Sequence, residues 1–423
     1  MTSDIREEEA HGQLHRVGLG AVIADHPLVD RPFEAAEFGR ENEGAPFEFW
    51  RVVKTRAIER LSRLHGLVRE GTFAGSKVRL PVGEGRRMEL DLIGTHEEGV
   101  FVLELKVQRS AERNAFSELF AYSNYVAGLY TMSGRRDVTN VLVATLANAI
   151  TEQAYLYDLL INERDVVVYR PRFPDGSAGS LVLDLYLPSD DVFRTFANTM
   201  LSHDAMDCVA ISFDDNPGWF DSEDDGGALN EHTHKYLTAL AGHAAQLMEA
   251  EQLHGFCFVR KPWSEIPAYH RNTLFLCATN PFRHPHSDKA DAFMRQLSEE
   301  GRDQFADWPE LGFASRLIRV AHRATANILP YGWATEVEVP LWSAIVVNPV
   351  EVVYTHNFGF RTTGLLREAY TAYLDDIYDC NARGETTEDM SVMKGEELGN
   401  WLRGWAFMEA CGFGTEDIAF EID

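Results

Sequence analysis

Residues 86–122 read RRMELDLIGTHEEGVFVLELKVQRSAERNAFSELFAY, and the elements this stretch forms decide the fold. Side chains two apart on a strand share a face. Glu89 and Asp91 therefore fall together on one strand and Glu104 and Lys106 on the next, while Met88, Leu90 and Leu92, like Phe101, Leu103, Leu105 and Val107, line an apolar opposite face. Gly94 to Gly99 reads as a short connecting loop. A hairpin symmetric about Glu97 and Glu98 sets Asp91 across from Glu104 and Glu89 across from Lys106. Like charges opposite one another in a sheet are destabilising, so two facing carboxylates need something to offset their repulsion.

Working outward, Phe47 to Val68 has Phe47, Trp50, Val53, Ile58, Leu61 and Leu64 at near-helical spacing, with Arg51, Lys54, Arg56, Arg60 and Arg63 on the other side. Those bases form either a solvated face or a phosphate contact. Lys77 to Val82, Met88 to Ile93 and Val100 to Gln108 read as strands, and Asn114 to Met132 as a helix. Val138 to Leu146 then reads as a buried strand, Thr151 to Ile161 as a helix, and Val166–Arg170 with Leu181–Leu187 as a further hairpin. The order is helix, three strands, helix, strand, with additions.

Residues 1–45 are acidic, lack a periodic pattern and are expected to be a loosely attached arm, with a short strand near Val17 to Ile23. The pattern resets around Pro188 to Asp191, which divides a domain of residues 46–188 from an acidic α/β domain of residues 189–423. Within the latter, helices are expected at Val192–Leu201, His234–Leu253, Lys289–Leu297, Leu365–Tyr378 and Glu396–Cys411. Strands are expected at Cys208–Phe213, Gly255–Arg260, Thr273–Ala278, Glu336–Val339 and in the run SAIVVNPVEVVYT.

A chain of 423 residues with 45% hydrophobic residues is long enough for two or three cores. It has no run of 18 apolar residues and an acidic N-terminus, which predicts a soluble, cytoplasmic protein with no membrane partner. Five well-separated cysteines predict buried thiols, with neither a disulfide framework nor a zinc ribbon. The net charge of -27 weighs against a nucleic-acid partner, since phosphate contacts need Lys and Arg. The segment from Pro46 to Arg113, however, carries 13 Lys and Arg against 10 Asp and Glu, so the excess acid lies elsewhere.

A divalent cation is one way to hold Asp91 and Glu104 side by side. Mg²⁺ takes oxygen ligands from one or two carboxylates, and the carbonyl of Leu105 can add another. Lys106, on the same face, can orient or deprotonate a water and balance charge on phosphorus, which describes a phosphodiester hydrolysis site.

Asp91, twelve residues, then Glu104-Leu105-Lys106, in this element order, resembles the PD-(D/E)XK nuclease superfamily. The resemblance covers about residues 46–150, extending to 187, and implies a restriction-endonuclease-like αβββαβ core with a mixed sheet. It implies a Mg²⁺- or Mn²⁺-dependent nuclease with Asp91, Glu104 and Lys106 as catalytic residues, and Asp91, Glu104 and Leu105 as metal ligands. Glu118 and Tyr122, four apart on the following helix, match the Q-x-x-x-Y motif of one branch and join the site on that ground. Leu90 replaces the usual proline and Glu118 the glutamine, which leaves open whether Glu118 binds metal, bonds to Lys106 or does neither. The family often draws a further Glu from the first helix, for which Glu48 and Glu59 are both candidates. By analogy alone, a two-part plan of this kind suits a regulated effector of bacterial antiviral defence or DNA processing. Its partners would be nucleic acid, DNA ahead of RNA, and a regulatory protein or small ligand at residues 189–423, with a homo-oligomer also compatible. The competing expectation is a non-catalytic binding or assembly subunit that keeps the fold and holds nucleic acid on its basic helix.

Other constellations are weaker. His232 and His234, and His284 and His286, lack a third ligand at a recognisable spacing and read as surface or turn histidines. Gly226-Gly227 lacks the Lys-Ser/Thr of a phosphate loop. Arg260, Lys261, Trp263, Tyr269, His270 and Arg271 gather between two strands and read as a packed loop ahead of a ligand pocket. Trp401 and Trp405 read as core.

Overall fold

The strand containing Glu104 has no solvated face. In the computed structural model it lies inside a six-stranded sheet, and Val102, Leu103, Glu104 and Leu105 are all buried. The structure describes residues 5–27, 48–81, 88–134, 136–198, 205–214, 231–262, 272–282, 288–329, 335–342, 345, 355–383, 404 and 407–408. The chain divides into two units, Met1–Glu34 with Val53–Asp190, and Ala35–Val52 with Asp191–Asp423.

The first unit is built from helix α1 (Glu7–Val17), helix α2 (Phe49–Glu70) from Val53 onward, and strands β1 (Thr72–Leu80), β2 (Met88–His96) and β3 (Gly99–Lys106). Helix α3 (Ala115–Ala127), strand β4 (Val138–Ala144), helix α4 (Ala149–Tyr157) and strands β5 (Val166–Arg172) and β6 (Val182–Leu185) follow. The strands lie in sequence order across the sheet. β1, β2 and β3 are antiparallel neighbours; β3–β4 and β4–β5 are parallel; β5–β6 is antiparallel. Parallel pairing demands a crossover, and α3 and α4 supply the two. All seven residues of β4 are buried, as expected of a parallel strand covered on both faces. The unit is thus mixed α/β with a mixed sheet.

The hairpin has the expected register. Leu92 pairs with Leu103, Ile93 with Val102 and Gly94 with Phe101, and the strands run on to His96 and Gly99, so the turn is tighter than the Gly94–Gly99 loop expected. Gly94 is needed here: a Cβ would fall within the contact distance of both the Phe101 ring and the carbonyl oxygen of Thr72. Gly94→Ala is expected to cost about 2–3 kcal/mol, because a backbone oxygen cannot rotate away as a side chain can. An unchanged urea midpoint for that variant would contradict the close packing.

The N-terminal segment differs from the loose arm expected. Residues 7–17 are helical, with Ala10, His11 and Leu14 buried, and Ile23 forms a parallel bridge to Leu183. Val22 O accepts from Leu183 N at 2.8 Å, and Ala24 N donates to Leu183 O at 3.0 Å. The helix buries only one apolar stripe, which the acidic run Glu7–Glu9 hides in the sequence.

The second unit carries an antiparallel five-stranded sheet in the order β10 (Thr335–Glu338), β7 (Met206–Phe213), β9 (Asn272–Thr279), β8 (Gly255–Pro262), β11 (Thr355–Thr363). Helices α6 (Glu231–Ala250) and α8 (Glu299–Ile328) form a core with that sheet through Leu237, Leu240, Phe313, Leu317 and Leu276. Helices α5 (Asp190–Asn198), α7 (Asp288–Met294) and α9 (Leu365–Ala382) also belong to this half of the chain. The 30-residue α8 has no counterpart among the expected helices, and its sequence carries Gly301, Pro309 and Gly312, residues that disfavour a helix interior. Cys208, Cys257 and Cys277 are buried free thiols. No helix among the described residues is long and apolar enough to cross a membrane. Gly226, Gly227, Trp263, Tyr269, His270, Arg271, His284, His286, Trp401 and Trp405 lie outside the described residues, as do most of the 343–355 run and of the 396–411 helix.

Candidate functional site

A row of charges crosses the sheet at right angles to the strands. Ser76 pairs with Leu92 and Val78 with Leu90, which sets Lys77 opposite Asp91; beyond Leu92 and Leu103, the β2–β3 register brings Asp91 against Glu104. The β2–β3 ladder stops short of that pair. The Asp91 carboxylate takes its place: Oδ2 accepts the Leu105 amide at 3.0 Å, and Oδ1 accepts from Lys77 Nζ at 2.5 Å. Leu105 N–H thus points toward β2, and since both backbone groups of a strand residue face the same neighbour, its carbonyl is turned to the same side.

Glu104 is 2% exposed and Asp91 5% exposed, so water screens neither well. Glu104 Oε1 accepts from Lys106 Nζ at 2.5 Å, and Glu118 Oε2 lies 3.0 Å from the same ammonium. The open question over Glu118 has a geometric answer: it shares Lys106 with Glu104. Glu104 Oε2 is buried and has no hydrogen-bond partner.

Electrostatics follow from this burial. Desolvation, reinforced by the Asp91 charge, pushes the Glu104 carboxyl from 4.5 to about 8, despite Lys106. Burial would lower the Lys106 ammonium, but its bond to Glu104 and the charge of that group raise it further, so Lys106 keeps its proton at neutral pH. Tyr122 is held up to about 12 by burial and by the charges of Glu104 and Glu118, so it stands in the site as a neutral phenol. A folded-state pKa above the unfolded value stabilises the fold below about pH 4.5, and that stabilisation is lost as pH rises through about 8. Glu104→Gln, which cannot ionise, is therefore expected to lose less stability than the wild type between about pH 5 and pH 8. Thermal midpoints in chelator-treated buffer check this, and parallel pH profiles would contradict it.

A further acid that interacts with the row lies at neither expected helix position. Glu7, in the first turn of α1, is raised by burial and by the charges of Asp91 and Glu118, and lowered by Lys106 and Lys77, which brings it beside the row. One turn on, His11 Nε2 lies 3.1 Å from Asp91 O and ties α1 to β2. By contrast, Glu48 accepts from Trp50 at 3.0 Å and Arg51 at 2.5 Å, while Glu59 is perturbed by burial and Arg56 alone. The reading of the sequence missed Glu7, Lys77 and His11. Only the β1 register could have pointed to Lys77, and the masking of α1 by its acidic run hid the other two.

None of the family models, curated proteins or solved structures compared with this chain matches it. The chemistry must therefore be argued from its own side chains. Glu7, Asp91, Glu104 and Glu118 supply four carboxyl groups against the two ammonium groups of Lys77 and Lys106. Among the described residues no set of three or more His, Cys, Asp and Glu side chains is arranged to hold a metal ion; here the two lysines stand among the carboxylates. His232 and His234 pack on Tyr236 and Phe358 instead.

The basic face of α2 is also accounted for. Lys54 pairs with Asp190 at 2.7 Å, Arg56 with Glu163, Arg60 with the Leu159 carbonyl at 3.0 Å, and Arg63 with Glu98 at 2.6 Å and Asp165 at 2.7 Å. Arg51 is engaged by Glu48. In this structure these cations are engaged by partners within the protein.

Proposed function

We propose that the chain is a metal-dependent nuclease of the PD-(D/E)XK type, with a restriction-endonuclease-like core formed by α2, β1–β3, α3 and β4. The observation that carries this reading is the buried, unpartnered Oε2 of Glu104, beside Asp91 and beneath Lys106. A buried carboxylate oxygen without a partner costs free energy, and a hard cation is the ligand that best satisfies it. Asp91, Glu104 and the carbonyl of Leu105 would hold Mg²⁺ or Mn²⁺. Such an ion supplies Lewis-acid polarisation of the phosphoryl oxygen and lowers the pKa of bound water.

The remaining work falls to the chain's own groups. Lys106, protonated and anchored by Glu104 and Glu118, presents a positive hydrogen-bond donor to a phosphate oxygen and stabilises charge that grows there. Its raised pKa favours this electrostatic role over proton abstraction. Glu118 orients the ammonium, and the neutral Tyr122 hydroxyl can donate to substrate. Substrate is nucleic acid, with DNA favoured over RNA on the resemblance alone, as is a setting in defence or DNA processing. The rival reading, a non-catalytic subunit binding through α2, has less support because the α2 cations are engaged in ion pairs.

Incubation of the purified chain with duplex and single-stranded DNA and RNA in Mg²⁺ or Mn²⁺ tests the proposal. Cleavage by the wild type that Glu104→Gln abolishes is the expected result. Cleavage unchanged in that variant assigns the activity elsewhere, and an inert wild type favours the binding subunit.

A further inference from the structure

Each carboxylate of the Asp91–Glu104 pair has its own lysine, and the two lysines are held very differently. Lys106 has a side chain only 12% exposed and is clasped by two carboxylates, Glu104 and Glu118. Lys77 has a side chain 41% exposed and donates to Asp91 Oδ1 at 2.5 Å. Its backbone is unusual as well. Lys77 has φ +48°, a left-handed conformation that a residue with a long side chain rarely adopts inside a strand, although Ser76 and Val78 on either side keep one register with Leu92 and Leu90. Strain of this kind persists where surrounding contacts demand it and is concentrated at functional and switching positions.

Resting on the nuclease reading, we propose that Lys77 is an exchangeable counter-ion: it neutralises Asp91 in the resting site and is displaced when a divalent cation and a nucleic-acid phosphate arrive together. Asp91 cannot bind a cation at full strength while an ammonium sits on Oδ1. The same ammonium, once released, is a donor for the negatively charged phosphate. A phosphate that draws Lys77 off Asp91 thus frees the carboxylate for the metal, and metal on Asp91 releases Lys77 to the phosphate. The two ligands bind cooperatively, and linkage requires each to strengthen the other by the same factor. The site would then hold metal weakly until substrate is present. Glu7 interacts electrostatically with both lysines and adds negative charge to their surroundings.

An ammonium on Oδ1 and a divalent cation compete for the same carboxylate charge, so removing the ammonium frees that charge for the cation. Lys77→Met is therefore expected to tighten Mn²⁺ binding, measured by calorimetry without nucleic acid, by about tenfold or more. Lys77→Gln, which keeps a donor without the charge, should do the same if the Met variant fails to fold. In a Lys106→Met background, where turnover is slowed by about 10²–10³-fold, duplex DNA should tighten Mn²⁺ binding when Lys77 is present and leave it nearly unchanged when Lys77 is replaced. Asp91→Asn separates the two levels of the argument. If Asp91→Asn abolishes Mn²⁺ binding while both Lys77 variants bind as the wild type does, the counter-ion role is overturned and the metal site stands. If Asp91→Asn binds Mn²⁺ like the wild type, or none of these proteins binds it, the metal site is wrong and the exchange falls with it.

Discussion

Lys106→Met is expected to lower metal-dependent cleavage by about 10²–10³-fold while leaving the protein folded, the scale on which losing one preorganised donor to a developing negative charge is felt. Its ammonium is fixed by Glu104 at 2.5 Å and Glu118 at 3.0 Å and is almost enclosed, so no reorganisation is needed when charge grows on the phosphoryl oxygens. The variant keeps the buried stem and removes only the charge. Glu118→Gln, which loosens one of the two anchors, should cost less, about tenfold, and should restrict the loss to turnover with Mn²⁺ affinity retained. Single-turnover cleavage with saturating Mn²⁺ checks both. Equal activity of Lys106→Met and wild type would place the chemistry elsewhere in the molecule.

The part of this site that alternation governs was legible in the sequence. Period-two patterning put Glu104 and Lys106 on one face, and symmetry about Glu97 and Glu98 gave the register that pairs Leu92 with Leu103. Local rules of that kind reach across a tight turn because few alternatives compete. They do not reach further. Nothing local says that Lys77 lies opposite Asp91, because the β1–β2 connection leaves their register free, and nothing local says that a helix at residues 7–17 returns to cover the strand bearing Asp91. Alternation says that the charges share a face but not that the face is enclosed, and the shift of the Glu104 carboxyl toward 8 comes from that enclosure. The arginines of α2 were left between solvent and phosphate, and their partners Glu98, Glu163 and Asp165 are 35 or more residues away in the chain.

Glu112→Ala is expected to be the most damaging single change to the first unit, costing about 3–5 kcal/mol. No motif marks this residue, which precedes α3 in a connector between two site-bearing elements. It is 0% exposed. One carboxylate oxygen accepts the Thr145 amide at 2.6 Å and the Thr145 hydroxyl; the other accepts the amides of Ala147 and Asn148 at 3.1 and 3.2 Å. These donors form the link from β4 to α4, where Asn148 caps the helix by accepting from Ile150 N at 3.0 Å. Hydrogen bonds to a charged group contribute about 1.5–3 kcal/mol each. Alanine would leave four donors to be satisfied by water that reaches them only in part. Glutamine keeps the shape but turns an NH₂ toward donors, so it should recover less than half of the loss. Because β4 is the strand against which β3 is set, loss of its C-terminal anchor should also loosen the Glu104 position. Amide hydrogen exchange of residues 138–157 in the full chain reads both effects. Protection in Glu112→Ala equal to the wild type would mean that the four hydrogen bonds contribute little, and that the β4–α4 link is held by its apolar contacts alone.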